Sequence, residues 1–239
     1  MCGRYTLTNP AKFFEQCPWI TTWPQGLTPR YNIAPGQRIM MVAAATPNAA
    51  TEGHWGLSSR FSNSAKAVRW LINARRETVL QKSMFQHWFG THRCLIPADG
   101  FYEWPAEKAM GRGQASRGPF HFRRRDGLAF AFAGFCVPAS VSHTLGESQC
   151  MILTTTAVGL VAKVHPRMPV ILDPPSMRAY LEGTPEQAVR DFLTMDMDSG
   201  LQMYRVGAQV NHSGWDGPDC VVPAEEALCE DLGSQKSLF

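Results

Sequence analysis

Apolar and polar positions alternate in short blocks punctuated by proline and glycine, a pattern that predicts many brief elements rather than a few long helices. Asn9 followed by Pro10 predicts a helix to about residue 17, with Asn9 as cap and Pro18 as stop. Residues 83–89 read as a short amphipathic helix, 158–164 as another, and 174–181 and 185–193 as helices that each begin with proline. Strand composition marks 93–104, 127–137, 149–156 and 168–172, the second being a nearly continuous apolar run suited to a buried strand. Residues 25–37 contain Pro29, Pro35 and Gly36 and read as a loop. The stretch 106–119, rich in Gly, Lys, Arg and Ser, reads as a mobile insert, and the acidic stretch 225–239 as a frayed tail. The expected fold is α+β: one domain over 1–224, with a curved, barrel-like, mainly antiparallel sheet and short flanking helices.

Composition narrows the class. The chain has 239 residues, 44% hydrophobic and 18% charged, enough for a substantial core, which excludes a disordered chain or a disulfide-held miniprotein. The longest apolar stretch, 128–139, falls short of the roughly 18 residues a membrane span needs. MCGRYTLTNP has no apolar leader, so a soluble, cytoplasmic protein is expected, and nothing asks for more than a monomer. Seven cysteines, at 2, 17, 94, 136, 150, 220 and 229, form no CxxC pair, and most read as small buried hydrophobes. Cys2 is the exception.

Charge is uneven. Residues 1–125 carry 17 Lys/Arg against 6 Asp/Glu, whereas 126–239 carry 6 against 14. Arginines outnumber lysines 17 to 6, and arginine pairs bidentately with phosphate and stacks on bases. A basic half of this kind points to an anionic partner, with nucleic acid the leading candidate.

Cys2 follows the initiator methionine, and removal of Met1 leaves an α-amine and a thiol on one residue. That amine has an ordinary pKa of about 7.7–8.0, far below lysine, so it condenses with an aldehyde near neutrality. The thiol then closes on the same carbon to give a thiazolidine, a step favoured by proximity. Elsewhere, Asn73, Arg75 and Glu77 occupy alternate positions and share a face if extended. Glu103 sits among Phe101, Tyr102 and Trp104, where a carboxyl pKa rises into the range of an acid/base. His165 and Arg167 stand two apart before a strand, a candidate proton shuttle beside a phosphate clamp.

Together, MCGRY at 1–5, YNIAP at 31–35, WGL at 55–57, NAR-x-ET at 73–78, RCLIPADGFYEW at 93–104 and HPRMPVIL at 165–172 resemble the SRAP family, the SOS-response-associated peptidases or abasic-site-processing proteins. The resemblance implies a processed N-terminal cysteine that crosslinks to the aldehyde of an abasic site in single-stranded DNA, with no cofactor and no metal. It implies Cys2 as nucleophile and Glu103 as acid/base in imine formation and Met1 removal. His165 would move protons at the deoxyribose oxygen and in reversal or lyase cleavage, and Asn73 would hold the N-terminal residue or the opened sugar. Arg4, Arg75 and Arg167 match phosphate-binding positions, and Trp55 and Trp104 match aromatic positions lining the DNA groove. Pro35 lies in a loop that obstructs a continuing duplex. Arg76 fills a slot that is often small, Ser83 replaces a basic residue of some members, and VNHSGWDGPDC keeps only VN and DGP, so no role is carried to that segment. Such a protein is expected at the nucleoid when bound to DNA.

Two other functions fit parts of the chain. Met-Cys-Gly also begins the N-terminal-nucleophile glutamine amidotransferases, where the thiol attacks an amide. A non-catalytic single-strand-binding module needs only the basic half and the tryptophans. A metal site built on His212, Cys220 and Cys229 lacks recurrent zinc spacing.

Overall fold

A computed structural model describes residues 2–59, 69–105, 118–141, 146–191 and 200–224. Most of the 106–119 insert and all of the 225–239 tail lie outside the described residues. The strands are β1 (Tyr5–Leu7), β2 (Arg30–Ile33), β3 (Arg38–Ala43), β4 (Ala50–Trp55), β5 (Leu57–Ser59), β6 (Arg69–Leu71), β7 (Asn73–Arg75), β8 (Arg93–Ala98), β9 (Gly100–Glu103), β10 (Phe120–Arg124), β11 (Phe130–Val137), β12 (Gln149–Thr156), β13 (Arg167–Pro169), β14 (Ile171–Leu172) and β15 (Leu201–Arg205). The α-helices are α1 (Pro10–Gln16), α2 (Ser83–Thr91), α3 (Gly159–Ala162), α4 (Pro174–Glu182) and α5 (Pro185–Arg190).

Local chemistry sets the helix starts. The Asn9 side chain accepts from the Lys12 amide, Asp173 from Ser176, and Thr184 forms a capping box with Gln187. Each of these three helices begins with the proline that the sequence placed there.

The strands form two main sheets. One runs β15–β10–β9–β1–β2, antiparallel throughout. In the other, β12–β4–β3–β8–β11 pairs back onto β12 and closes a ring, with β13 and β7 added at β12 and β14 at β11. Only β12–β4 and β12–β7 are parallel among these pairings, which agrees with the expected curved, mainly antiparallel sheet. Every residue of β8 and β11 is buried, so their apolar runs are continuous rather than alternating. Tyr5 joins the two sheets, meeting Trp55 edge-on at 5.3 Å and Phe132 at 5.5 Å. Phe101 adds a stack on Phe122 at 5.0 Å. Burying each such ring contributes about 1.5–3 kcal/mol.

Three expectations change. The 25–37 loop contains β2, because Ile33 and Arg30 pair with Tyr5 and Leu7 of β1 despite the flanking prolines. The 93–104 strand divides at Asp99, so that β8 joins the ring and β9 the other sheet. The 168–172 strand divides at Val170, whose carbonyl accepts from Ala133 while its amide donates to Leu153. That residue thereby bridges β11 and β12.

Arg93 ties helices to the ring. Although it is buried, its guanidinium donates to the carbonyls of Phe89, Gly90, Tyr180, Leu181 and Gly183 at the ends of α2 and α4. Those carbonyls lack helical partners and carry the negative end of the helix dipole, so they offset the buried charge.

Candidate active site

The site is assembled around the start of the chain. Asp99, at the β8–β9 corner, accepts from Thr6 Oγ1 at 2.6 Å, Thr8 N at 2.5 Å, Thr8 Oγ1 at 2.6 Å and Asn9 N at 3.1 Å. Its own amide donates to the Thr6 carbonyl. This clasp sets the β1–β9 register, Tyr5 opposite Phe101 and Thr6 opposite Gly100. Gly100 has to be glycine, because a Cβ there would lie 2.3 Å from His121 Nε2 and 2.7 Å from Thr6 Oγ1. Beyond the register the Tyr102 amide donates to the Arg4 carbonyl, which brings the first residues alongside Glu103.

Cys2 is fully buried, and the other five cysteines of the described residues are buried too, all free thiols. Contrary to expectation, burial therefore does not set it apart; its neighbours do. Asn73, the first residue of β7, donates from Nδ2 to the Cys2 carbonyl at 2.9 Å. Asn73 Oδ1 is buried with no hydrogen-bond partner among the described residues. Glu103 is 2% exposed, and burial pushes its carboxyl up to about 7 against the opposing charge of the amino terminus. The Cys2 thiol is raised well above the ordinary range, first by burial and then by the nearby Glu103 charge, so it stays protonated at neutral pH. His165 Nδ1 lies 3.8 Å from Glu103 Oε2 and 2.8 Å from the Arg167 carbonyl. Its pKa is lowered, mainly by burial, which favours the neutral imidazole. Cys2, Asn73, Glu103 and His165, spread over 164 positions of sequence, thus meet in one place.

The predicted DNA-binding residues are placed differently from one another. Arg75 is exposed and has no ion-pair partner among the described residues. The Arg4 guanidinium is half-buried and donates to Asn32 Oδ1 and to the carbonyls of Val210 and Asn211. Arg167 forms a two-pronged pair with Glu77 and donates to Thr154. Trp104 is half-buried, with Nε1 donating to Asn211 Oδ1 at 2.8 Å. Trp55 is wholly buried, and its Nε1 supports the Ile72 carbonyl just before Asn73. Pro35 opens a turn completed by Gly36 at φ +82°, a left-handed conformation suited to glycine. The face shared by Asn73 and Arg75 ends at Arg75, because Arg76–Thr78 coil into a 3-10 turn.

Sequence reasoning missed the segment around VNHSGWDGPDC. Asn32 Nδ2 donates to the carbonyls of Val210, His212 and Trp215, and Asp216 accepts from Arg30 and from the amides of Tyr31 and Asn32. The retained VN and DGP strings were its only signal. Clefts of ≈ 240, 540 and 530 Å³ lie along α1 and the Asp99 corner, and none is lined by Cys2, Asn73, Glu103 or His165. Among the described residues no group of three or more His, Cys, Asp or Glu side chains is placed to hold a metal, and no helix is long and apolar enough to cross a membrane.

Cys2 is thus buried beside a carboxyl of raised pKa, with its carbonyl held by Asn73 of β7. Residues 1–213 match the model of the SOS response associated peptidase (SRAP) family, and the chain belongs to that family. Among its relatives, abasic site processing protein YoaM of Bacillus subtilis is 30% identical over 88% of this chain and 93% of its own. YobE of the same organism is 31% identical over 88% and 96%. A solved protein of Bacteroides thetaiotaomicron superposes with a TM-score of 0.72 at 18% identity, covering 93% of this chain and 100% of that one. A phage-related protein of Bordetella bronchiseptica does so with 0.68 at 25% identity, covering 86% and 94%.

Proposed function

We propose that this protein captures abasic sites in single-stranded DNA by forming a thiazolidine between Cys2 and the C1′ aldehyde, after removing its own Met1. The observation that carries this reading is the pairing of Cys2 with Glu103, a buried carboxyl poised near neutrality. The relatives' names support the substrate class.

The protonated thiol makes the amine the first nucleophile. Hydrolysis of the Met1–Cys2 amide consumes one water and frees that amine on the residue whose carbonyl Asn73 holds. The amine adds to the aldehyde, and Glu103 in its acid form delivers the proton that lets hydroxide leave as water. The resulting imine carbon accepts the Cys2 sulfur. Glu103, now a carboxylate, takes the thiol proton, and the nitrogen, which left the dehydration as an iminium, keeps its own hydrogen and becomes neutral. The adduct is the sum of protein and aldehyde less one water. A carboxyl with a pKa of about 7 serves both halves of this cycle without a large penalty in either direction. In this reading neutral His165 exchanges protons with Glu103 and the opened sugar, which its 3.8 Å approach to Glu103 and its anchor on the Arg167 carbonyl support.

Arg75, with Arg4 and Arg167, holds the phosphates flanking the lesion, Trp104 supports a neighbouring base, and the Pro35 turn blocks a continuing duplex. Binding is then sequence-tolerant and weakens with salt as counterions are released. The test is the rate of crosslinking to single-stranded DNA carrying one abasic site, followed across pH. Wild type should show an inflection near 7 that Glu103→Gln loses, together with a fall in rate of about 10²-fold. An unchanged rate and profile in Glu103→Gln would sink the assignment.

A further inference from the structure

We propose that Glu77 is an internal stand-in for phosphate: its carboxylate occupies the Arg167 fork until a DNA phosphate displaces it, and so limits how tightly the site holds undamaged strands. The inference rests on the reading above that a phosphate meets Arg167, and it explains why a residue expected to clamp DNA is already engaged.

Glu77 Oε1 lies 2.8 Å from Arg167 Nη1, and Oε2 lies 2.9 Å from Nη2. Two parallel charge-assisted bonds to a planar fork are also how guanidinium receives a phosphate, so the two anions compete for one seat. The pair is reachable from solvent, the Glu77 side chain being 43% exposed and that of Arg167 16%. Both partners have somewhere to rest after exchange. Glu77 Oε1 already faces Thr155 Oγ1 at 3.4 Å and the Thr156 amide at 3.3 Å. Arg167 Nη2 keeps the Thr154 carbonyl at 2.7 Å.

Arg167 holds the Glu77 carboxyl down at about 2, chiefly through the hydrogen bonds of the fork. The carboxylate is therefore charged at every working pH, and the exchange answers to phosphate rather than to protons. Arg75, two residues before Glu77 and exposed, is positioned to meet the backbone first. A strand held only there would gain the second clamp at the cost of displacing Glu77, which discriminates against loose encounters.

The test measures affinity for a lesion-free oligothymidylate, so it does not depend on the crosslinking chemistry, and a failure of that chemistry would show separately on abasic DNA. Glu77→Gln should bind the oligonucleotide about fivefold more tightly at low salt, the factor corresponding to one exposed ion pair. The gain should vanish when Arg167→Gln is present in the same chain. Equal or weaker binding by Glu77→Gln, or a gain that survives Arg167→Gln, would overturn the proposal. Carbon NMR of the Glu77 carboxylate in unaltered protein gives a readout independent of variant folding. Its resonance should move on adding the oligonucleotide, and a resonance that stays fixed at saturation would also overturn it.

Discussion

Arg93 and Glu103 stand ten residues apart at either end of RCLIPADGFYEW, and both are ionisable groups taken out of water, 6% and 2% exposed. Their surroundings differ. Arg93 aims its donors at five carbonyls at the ends of two helices, an arrangement that keeps a buried charge satisfied. Glu103 sits in surroundings that favour the uncharged acid, and its carboxyl moves up to about 7. Burial alone therefore does not mark a reactive group. What separates the two is whether the environment stabilises the charge or leaves it near balance.

The largest effect should come from breaking the satisfied end. Arg93→Leu leaves five carbonyls without their donor and should cost about 3–5 kcal/mol, read as a lower urea midpoint. Arg93→Lys should recover only part of the loss, because three donors on a single nitrogen cannot reach both helix ends.

The poised end should respond with the opposite sign. The Glu103 pKa in the fold lies above its ordinary 4.5, so folding favours the protonated form. Its contribution is whole below about 4.5 and is lost as pH rises through about 7. Glu103→Gln should accordingly be more stable than wild type at pH 8, by up to about 3 kcal/mol, with the difference shrinking to near zero at pH 4.5. Thermal melts of both proteins across that range would show it. Equal stability at pH 8 would mean that the carboxyl is not held out of water.

Asp99 lies between the two, at the corner where the motif passes from one sheet to the other. Asp99→Ala removes the acceptor for Thr6, Thr8 and Asn9 and should cost about 2 kcal/mol. It should also slow crosslinking more than it weakens DNA binding, because the register that brings Cys2 to Glu103 loosens. The smallest change is expected at the surface. Arg75→Gln should weaken lesion-free single-stranded DNA binding a few-fold and flatten the salt dependence by about 0.7 in the log–log slope.

The parts that were legible in the sequence are those whose causes are local. Prolines 10, 174 and 185 with their caps mark helix starts, and the apolar block 149–156 coincides with β12. β1, β3, β4, β10 and β15 were not anticipated: they are short, and most mix polar with apolar positions. Some of their pairing partners lie far along the chain, as β10 and β15 do, although β3 and β4 pair with each other. The site divides in the same way. The residue types at Cys2, Asn73, Glu103 and His165 already spoke of chemistry, but their meeting depends on the Asp99 clasp and on β7 pairing with β12. Trp55 carried a motif's signal, yet whether it faces a groove or the core is decided by Tyr5 packing against it. The Glu77–Arg167 pair likewise joins a turn to a strand 90 residues away, a distance no periodicity spans.

The most direct measurement is the intact mass of the purified protein, before and after incubation with single-stranded DNA carrying one abasic site. The expected result is a chain lacking Met1 that converts to a one-to-one adduct, lighter than the sum of its parts by one water, in wild type but not in Cys2→Ala. A chain lacking Met1 that yields no adduct, or an adduct that persists in Cys2→Ala, would contradict capture by the amine and thiol of Cys2.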